Sequence, residues 1–163
     1  MEHLIHTIPP VYDENSRILI LGSFPSVRSR AAEFFYGHPQ NRFWPLIARL
    51  TGSGIPYTND EKKALPLSNH IALWDVAASC EITGSSDATM RSVVPNDITP
   101  ILETADIKAI FTNGGKATEL YKRHIEPKVK ISAFSLPSTS PANARMRLNC
   151  LVNECGNICK YLM

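Results

Sequence analysis

The sequence predicts an α/β fold, a mostly parallel sheet with helices on both faces. Three observations support this. Apolar runs of strand length recur at 17–21, 69–76, 107–113 and 129–136; segments with helical signals separate them; and no internal repeat or low-complexity stretch breaks the alternation. Strands covered on both faces read as continuous apolar runs. Strand–helix alternation favours parallel pairing through crossover connections.

Taken in order, "RILIL" (17–21) is the first strand, and it runs straight into Gly22. Residues 23–41 read as a long loop, loaded with two arginines, three consecutive aromatics and a His-Pro pair. A helix is expected over 42–51, with Phe43 and Trp44 seating it in the core, and a broken one around 59–66. "NHIALWDV" (69–76) is the second strand, with Asp75 expected to cap a following helix. The next helix spans 96–105, with Asn96 as its N-cap and Asp97 favourable at the positive helix end. "IKAIFTN" (107–113) is the third strand, stopped by Gly114-Gly115, and a helix over 115–124 follows. "VKISAFSL" (129–136) is the fourth strand. A helix over 143–162 closes the chain. There Leu148, Leu151, Val152, Cys155, Ile158, Cys159 and Leu162 recur at helical spacing, which makes Cys155 and Cys159 small core residues.

Composition narrows the function classes. The 163 residues are 44% apolar and 20% charged, which suits a single domain over 1–163 with a full core. No apolar run approaches the ~18 residues of a membrane-spanning helix. "MEHLIHTIPP" lacks the basic start and long apolar stretch of a secretory signal, so a cytoplasmic location is expected. Basic and acidic residues number 17 and 15, so a polyanionic partner is neither demanded nor excluded. The four cysteines form no C-x-x-C pair, and His38, His70 and His124 show no ligand spacing. No metal or organic cofactor is therefore expected. A nucleophile elbow, a phosphate loop and a dinucleotide fingerprint are also missing.

In an open parallel sheet, ligands bind at the carboxyl ends of the strands. Here those ends are Gly22-Ser23-Phe24-Pro25, Asp75, Asn113-Gly114 and the Pro137–Pro141 stretch. With the long loop they supply amides, hydroxyls and aromatics: Asn41, Asn113, Ser138, Ser140, Tyr36 and Phe43. Amides and ring faces together suit a planar heterocycle, hydrogen-bonded at its edge and stacked on its face.

The motifs "GSFPS", "FYGHPQNRFW", "FTNGGK" and "LPSTSPAN", in that order, resemble the uracil-DNA glycosylase superfamily from about Arg17 to Ala144. They are most similar to its hypoxanthine-DNA (deoxyinosine) glycosylase branch, with the mismatch-specific thymine/uracil glycosylases as near relatives. "HPQNRFW" and "LPSTSP" are the specific part of the likeness. The resemblance implies a three-layer α/β/α domain with a central four-stranded, mostly parallel sheet. It also implies a monofunctional base-excision repair enzyme that flips and hydrolytically removes deaminated bases from DNA, hypoxanthine first and uracil second. A monomer is expected. The chain departs from the family pattern in two places. Phe24 stands where mismatch-specific relatives carry a water-positioning asparagine, and Leu136 opens the last motif where classical uracil enzymes carry a histidine.

Residue roles follow. Asn41 matches the position that the resemblance makes catalytic, its carboxamide oxygen aiming a water at the anomeric carbon; alternatively it caps the helix beginning near Arg42. Asn113 offers a donor and an acceptor to a lactam edge, with a plain strand-end turn as the alternative. Tyr36 matches the aromatic that stacks on the flipped base, or is a core ring. Gly22, Ser23 and Phe24 complete the base-binding set, the backbone near Ser23 and Gly114 offering donors. Ser138, Thr139, Ser140, Pro141, Asn143 and Arg145 would meet the DNA, and Pro141, Asn143, Arg145 or Met146 would fill the gap left by the flipped base. Arg28, Arg30, Arg42, Arg145 and Arg147 would form a basic rim. Lys116, Lys122, Arg123, Lys128 and Lys130 read as a solvated helix face, and Glu33 as a solvated loop carboxylate. Three rival readings use the same residues: a non-catalytic nucleic-acid-binding domain, a small-molecule nucleoside hydrolase, and a uracil/thymine mismatch-specific glycosylase.

Overall fold

The computed structural model describes residues 2–83, 89–143 and 146–162. The chain begins with β1 (Glu2–Ile5), β2 (Ile18–Gly22), α1 (Val27–Ala32), α2 (Phe43–Thr51) and α3 (Asn59–Ser68). It continues with β3 (Ile71–Asp75), β4 (Ala77–Ile82), β5 (Arg91–Pro95), α4 (Thr99–Thr104), β6 (Ala109–Asn113) and α5 (Gly115–His124). It ends with α6 (Glu126–Val129), β7 (Ala133–Leu136), α7 (Leu148–Glu154) and α8 (Asn157–Lys160).

The four expected strands form one sheet in the order β3-β2-β6-β7, and every pairing in it is parallel. Alternate residues of β2 point to opposite faces, and both faces are covered. Ile18 and Ile20 join a core with Trp44, Ile47, Leu151 and Ile158, under α2, α7 and α8. Leu19 and Leu21 join a second core with Ile98, Ile101, Leu120 and Tyr121, under α4 and α5. The result is the helix–sheet–helix layering that the apolar runs predict.

A second sheet, antiparallel and ordered β1-β4-β5, was not legible in the sequence. Its middle strand, AASCEI, is too small and polar to read as a core run. This sheet overturns the expectation for Asp75. No helix follows β3. Instead Val76 and Ala77 donate their N–H groups to the carbonyls of Gly22 and Ser23, and the chain passes directly into β4. Asn96 likewise does not cap α4. Its Nδ2 donates to the carbonyls of Asp75 (2.9 Å) and Ala77 (3.2 Å), bracing that junction, while Asp97 Oδ1 accepts the Thr99 N–H at 3.0 Å.

Other boundaries differ too: the fourth strand begins at Ala133 and not at 129, because Glu126–Val129 form α6. The long loop contains α1, whose N-cap Ser26 accepts from the Ser29 N–H. The closing helix is broken at Cys155 and Gly156 into α7 and α8. Leu151, Cys155 and Ile158 are buried as the spacing requires, whereas Cys159 is half-buried, its Sγ 3.5 Å from the Leu50 carbonyl.

Candidate active site

A cavity of about 470 Å³ opens at the carboxyl ends of the parallel strands, the size of a small-ligand site. Its walls come from the residues after β2, the loop leading to α2, the ends of β3 and β6, and the segment after β7. Of the expected site residues, Gly22, Ser23, Phe24, Arg28, Tyr36, Asn41, Asn113, Ser138, Thr139, Ser140 and Pro141 line it. Arg30, Arg42 and Asn143 do not. Arg145 lies outside the described residues.

The loop before α2 is held by packing and by a short polar chain. Ser29 Oγ accepts the Gly37 N–H at 2.9 Å, and a Cβ on Gly37 would stand 3.1 Å from the Arg28 carbonyl oxygen, so glycine lets this turn press close against α1. Trp44 Nε1 donates to the Phe35 carbonyl at 3.1 Å, and Phe43 and Trp44 are buried as expected. The Tyr36 ring stacks on Phe43 with centroids 3.9 Å apart and planes 19° off parallel. Tyr36 sits at φ 52°, a left-handed conformation unusual for an aromatic, which fits a side chain forced into a functional position.

Asn41 lines the cavity, and its Oδ1 accepts the Phe43 N–H at 2.9 Å. It therefore does cap the start of α2. That same bond sets which end of the carboxamide is oxygen, and leaves the second lone pair and the Nδ2 group for other partners.

Two of the expected roles look different in the structure. The Arg42 guanidinium reaches inward: Nη2 donates to the carbonyls of Ser140 (2.7 Å) and Asn143 (3.0 Å), and Nε to that of Thr139 (3.4 Å). It clamps the Ser-Thr-Ser segment instead of offering itself to phosphate. Asn113 binds Thr139 through both ends of its amide. Asn143 Nδ2 donates to the Ser138 carbonyl at 3.0 Å and so also shapes this segment. Gly114, at φ 97°, lets the segment approach: a Cβ there would meet Ser138 Cβ at 3.1 Å. Arg30 lies over the Phe24 ring, 5.9 Å from its centroid.

The sequence reading placed Asp75 at a strand end but gave it only a helix-capping role. Asp75 is buried, lines the cavity, and its Oδ2 is 2.8 Å from Nε2 of His6, which follows β1. The two side chains are only 6% and 2% exposed. The available signal was register: Asp75 pairs with Gly22 across β2 and β3, so both end at the same height. His6 carried no local signal at all. The neighbouring Tyr36 hydroxyl is buried with no hydrogen bond of good geometry. Burial, and secondly the Asp75 carboxylate, hold its pKa well above the tyrosine range, while the adjacent Asn113 amide pulls weakly the other way. Among the described residues, no three His, Cys, Asp or Glu side chains gather as a metal site.

The sequence pattern of the uracil DNA glycosylase superfamily matches residues 9–155. A protein of Methanosarcina acetivorans named hypoxanthine DNA glycosylase is 37% identical over 146 residues, covering 86% of this chain and 89% of the relative. One of the same name from Methanosarcina barkeri is 34% identical over 142 residues, covering 84% and 87%. The solution NMR structure of a candidate uracil DNA glycosylase from Methanosarcina acetivorans superposes with a TM-score of 0.81 at 33% identity, covering 96% of this chain and 97% of that one. The family pattern spans residues 9–155, and relatives 33–37% identical cover most of both chains: this protein belongs to the uracil DNA glycosylase superfamily, whose members hydrolyse N-glycosidic bonds in DNA.

Proposed function

We propose that this chain excises deaminated bases from DNA, hypoxanthine first and uracil second, and leaves an abasic site. The observation that supports it best is the cavity itself. It combines aromatic side chains, Phe24, Phe35 and Tyr36, with an oriented carboxamide at Asn41 and a buried carboxylate at Asp75. The base must leave the duplex to reach such a recess. Two relatives that carry the name hypoxanthine DNA glycosylase support the choice of base.

In the proposed reaction Asn41 Oδ1, already fixed by the Phe43 N–H, accepts from a water and aims it at the anomeric carbon. Breaking the N-glycosidic bond passes through an oxocarbenium-like state, with positive charge on the sugar and negative charge on the departing base. Preorganised donors near the base lower that barrier. Ser138, Ser140 and the backbone that Arg42 holds in place form the DNA-facing edge, and Arg28, exposed at the rim, supplies positive charge. The protein acts as a monomer in the cytoplasm.

The test is release of free hypoxanthine from an inosine-containing duplex, with uracil duplexes, free inosine and a chelator-treated sample run alongside. Base release from DNA, with or without chelator, is expected. Cleavage of free inosine alone would make the protein a nucleoside hydrolase. Tight binding of the inosine duplex without any release would make it a non-catalytic reader, the reading that the apolar Phe24 in the cavity wall favours.

A further inference from the structure

The floor of the cavity holds two polar groups close to one point. A Cβ built on Gly22 would stand 2.4 Å from Asp75 Oδ1 and 3.2 Å from the Tyr36 hydroxyl oxygen. The Asp75 carboxylate is held from behind, since its Oδ2 accepts from His6 Nε2 at 2.8 Å. His6 is itself fixed among the rings of Phe24, Phe35 and Trp74, with centroids 5.9 to 6.2 Å away. The Tyr36 hydroxyl is buried with no partner of good geometry. A buried donor without an acceptor costs about 1–3 kcal/mol, so it marks a place where a ligand atom belongs. Asn113, by contrast, already has both ends of its amide on Thr139.

We propose that Asp75 and Tyr36 read the edge of the flipped base, Asp75 accepting the lactam N–H and Tyr36 donating to the adjoining carbonyl oxygen, with His6 as the positioning residue for Asp75. This rests on the glycosylase reading above and names the substrate class of the same site: bases with a ring N–H beside a C=O. Hypoxanthine and uracil both present that pair. Adenine presents an amino group and a bare ring nitrogen instead, so the carboxylate would face a lone pair and the pocket would reject it. Guanine shares the lactam edge, and its 2-amino group must be excluded by another wall. The Tyr36 hydroxyl, which lies beside the Asn113 amide without a hydrogen bond of good geometry, and Asp75 Oδ1 are the groups that such an edge would satisfy. Gly22 lets the Asp75 carboxylate pack against the backbone, since a Cβ there would clash with Asp75 Oδ1 at 2.4 Å.

The test compares duplexes carrying hypoxanthine or 1-methylhypoxanthine, which lacks the N–H, by single-turnover excision. Binding of uncleavable 2′-fluoro versions is measured in parallel. The wild type is expected to prefer hypoxanthine in both assays. Asp75→Ala should shrink that preference by roughly 10- to 100-fold, the range for one buried acceptor losing its donor. His6→Gln should shrink it less, since its amide can still donate to Asp75. If Asp75→Ala lowers both duplexes equally and the preference survives, Asp75 is structural and the proposal is overturned. Asp75→Leu, close in size and without any acceptor, decides the matter if the alanine variant does not fold: it should also lose the preference, and keeping it would overturn the proposal. A wild type that excises neither base but still binds the hypoxanthine duplex better would defeat the glycosylase reading and leave this one standing. Equal binding of both duplexes by the wild type would defeat this one.

Discussion

Asn113 and Thr139 bind each other twice: Asn113 Nδ2 donates to Thr139 Oγ1 at 3.0 Å, and its Oδ1 accepts the Thr139 N–H at 3.1 Å. This pair ties the end of β6 to the segment after β7 across one side of the cavity. Asn113→Ala removes both bonds and should cost about 1–3 kcal/mol of stability. Excision of hypoxanthine and uracil should slow by a common factor, because the wall loosens for both. Asn113→Asp keeps the acceptor, and the Thr139 hydroxyl can turn to donate to it, so its melting temperature should lie nearer the wild type. A selective loss of one base in either variant would show that Asn113 touches the base directly.

Arg42 and Arg28 make opposite predictions although both are arginines of the loop region. Arg42 spends its guanidinium on the Ser140 and Asn143 carbonyls, a fork that a lysine cannot reproduce. Arg42→Lys should destabilise the protein by about 1.5–3 kcal/mol and leave the salt dependence of DNA binding unchanged. Arg28 is exposed at the rim. Arg28→Ala should leave the melting temperature alone and reduce the slope of log affinity against log salt by about one. Binding titrations at four salt concentrations, with thermal melts, separate the two.

Asn41 has two duties that one substitution series can divide. Asn41→Ala removes the acceptor for the Phe43 N–H, costing about 1 kcal/mol as lost caps do, and removes the water acceptor, slowing single-turnover excision by about 10²-fold or more. Asn41→Asp keeps the cap and an acceptor, so it should restore stability fully and the rate in part. An alanine variant with normal rate and weakened duplex binding would instead make Asn41 a binding residue.

Two buried tyrosines predict an alkaline limb of stability. Burial, with the Asp75 carboxylate second, holds Tyr36 far above its ordinary value; burial, with Glu126 second, pushes Tyr121 up to about 12. In both cases the folded state keeps a proton that the unfolded chain releases near pH 10. Stability is therefore level below about pH 10 and falls as pH rises from there toward the folded values. Melting curves between pH 8 and roughly 12 should show this, and Tyr36→Phe or Tyr121→Phe should each flatten the fall. At neutral pH the two variants differ. Tyr121 donates to the Ile131 carbonyl at 2.5 Å, so Tyr121→Phe destabilises; the Tyr36 hydroxyl has no good partner, so Tyr36→Phe should be neutral or stabilising by about 1 kcal/mol.

The sequence by itself determined the parallel sheet and the place of the cavity. The runs at 18–21, 71–74 and 109–111 are apolar because both faces of those strands are covered, and that signal lies within each run. The same locality explains why Asn41, Tyr36 and the Ser138–Pro141 segment could be placed at the strand ends. Only the tertiary structure decided which polar groups at those ends are spent and which are free. In the sequence, Asn113 and Asp75 are equivalent, each closing an apolar strand. In the fold, Asn113 is engaged by Thr139, 26 positions away, and Asp75 is held by His6, 69 positions away and just past an edge strand of an unexpected second sheet. Arg42 meets its carbonyl partners about a hundred positions along the chain. Apolar periodicity reports which face of an element is buried. A hydrogen-bond partner at such separations depends on how the layers pack and leaves no trace in the local pattern.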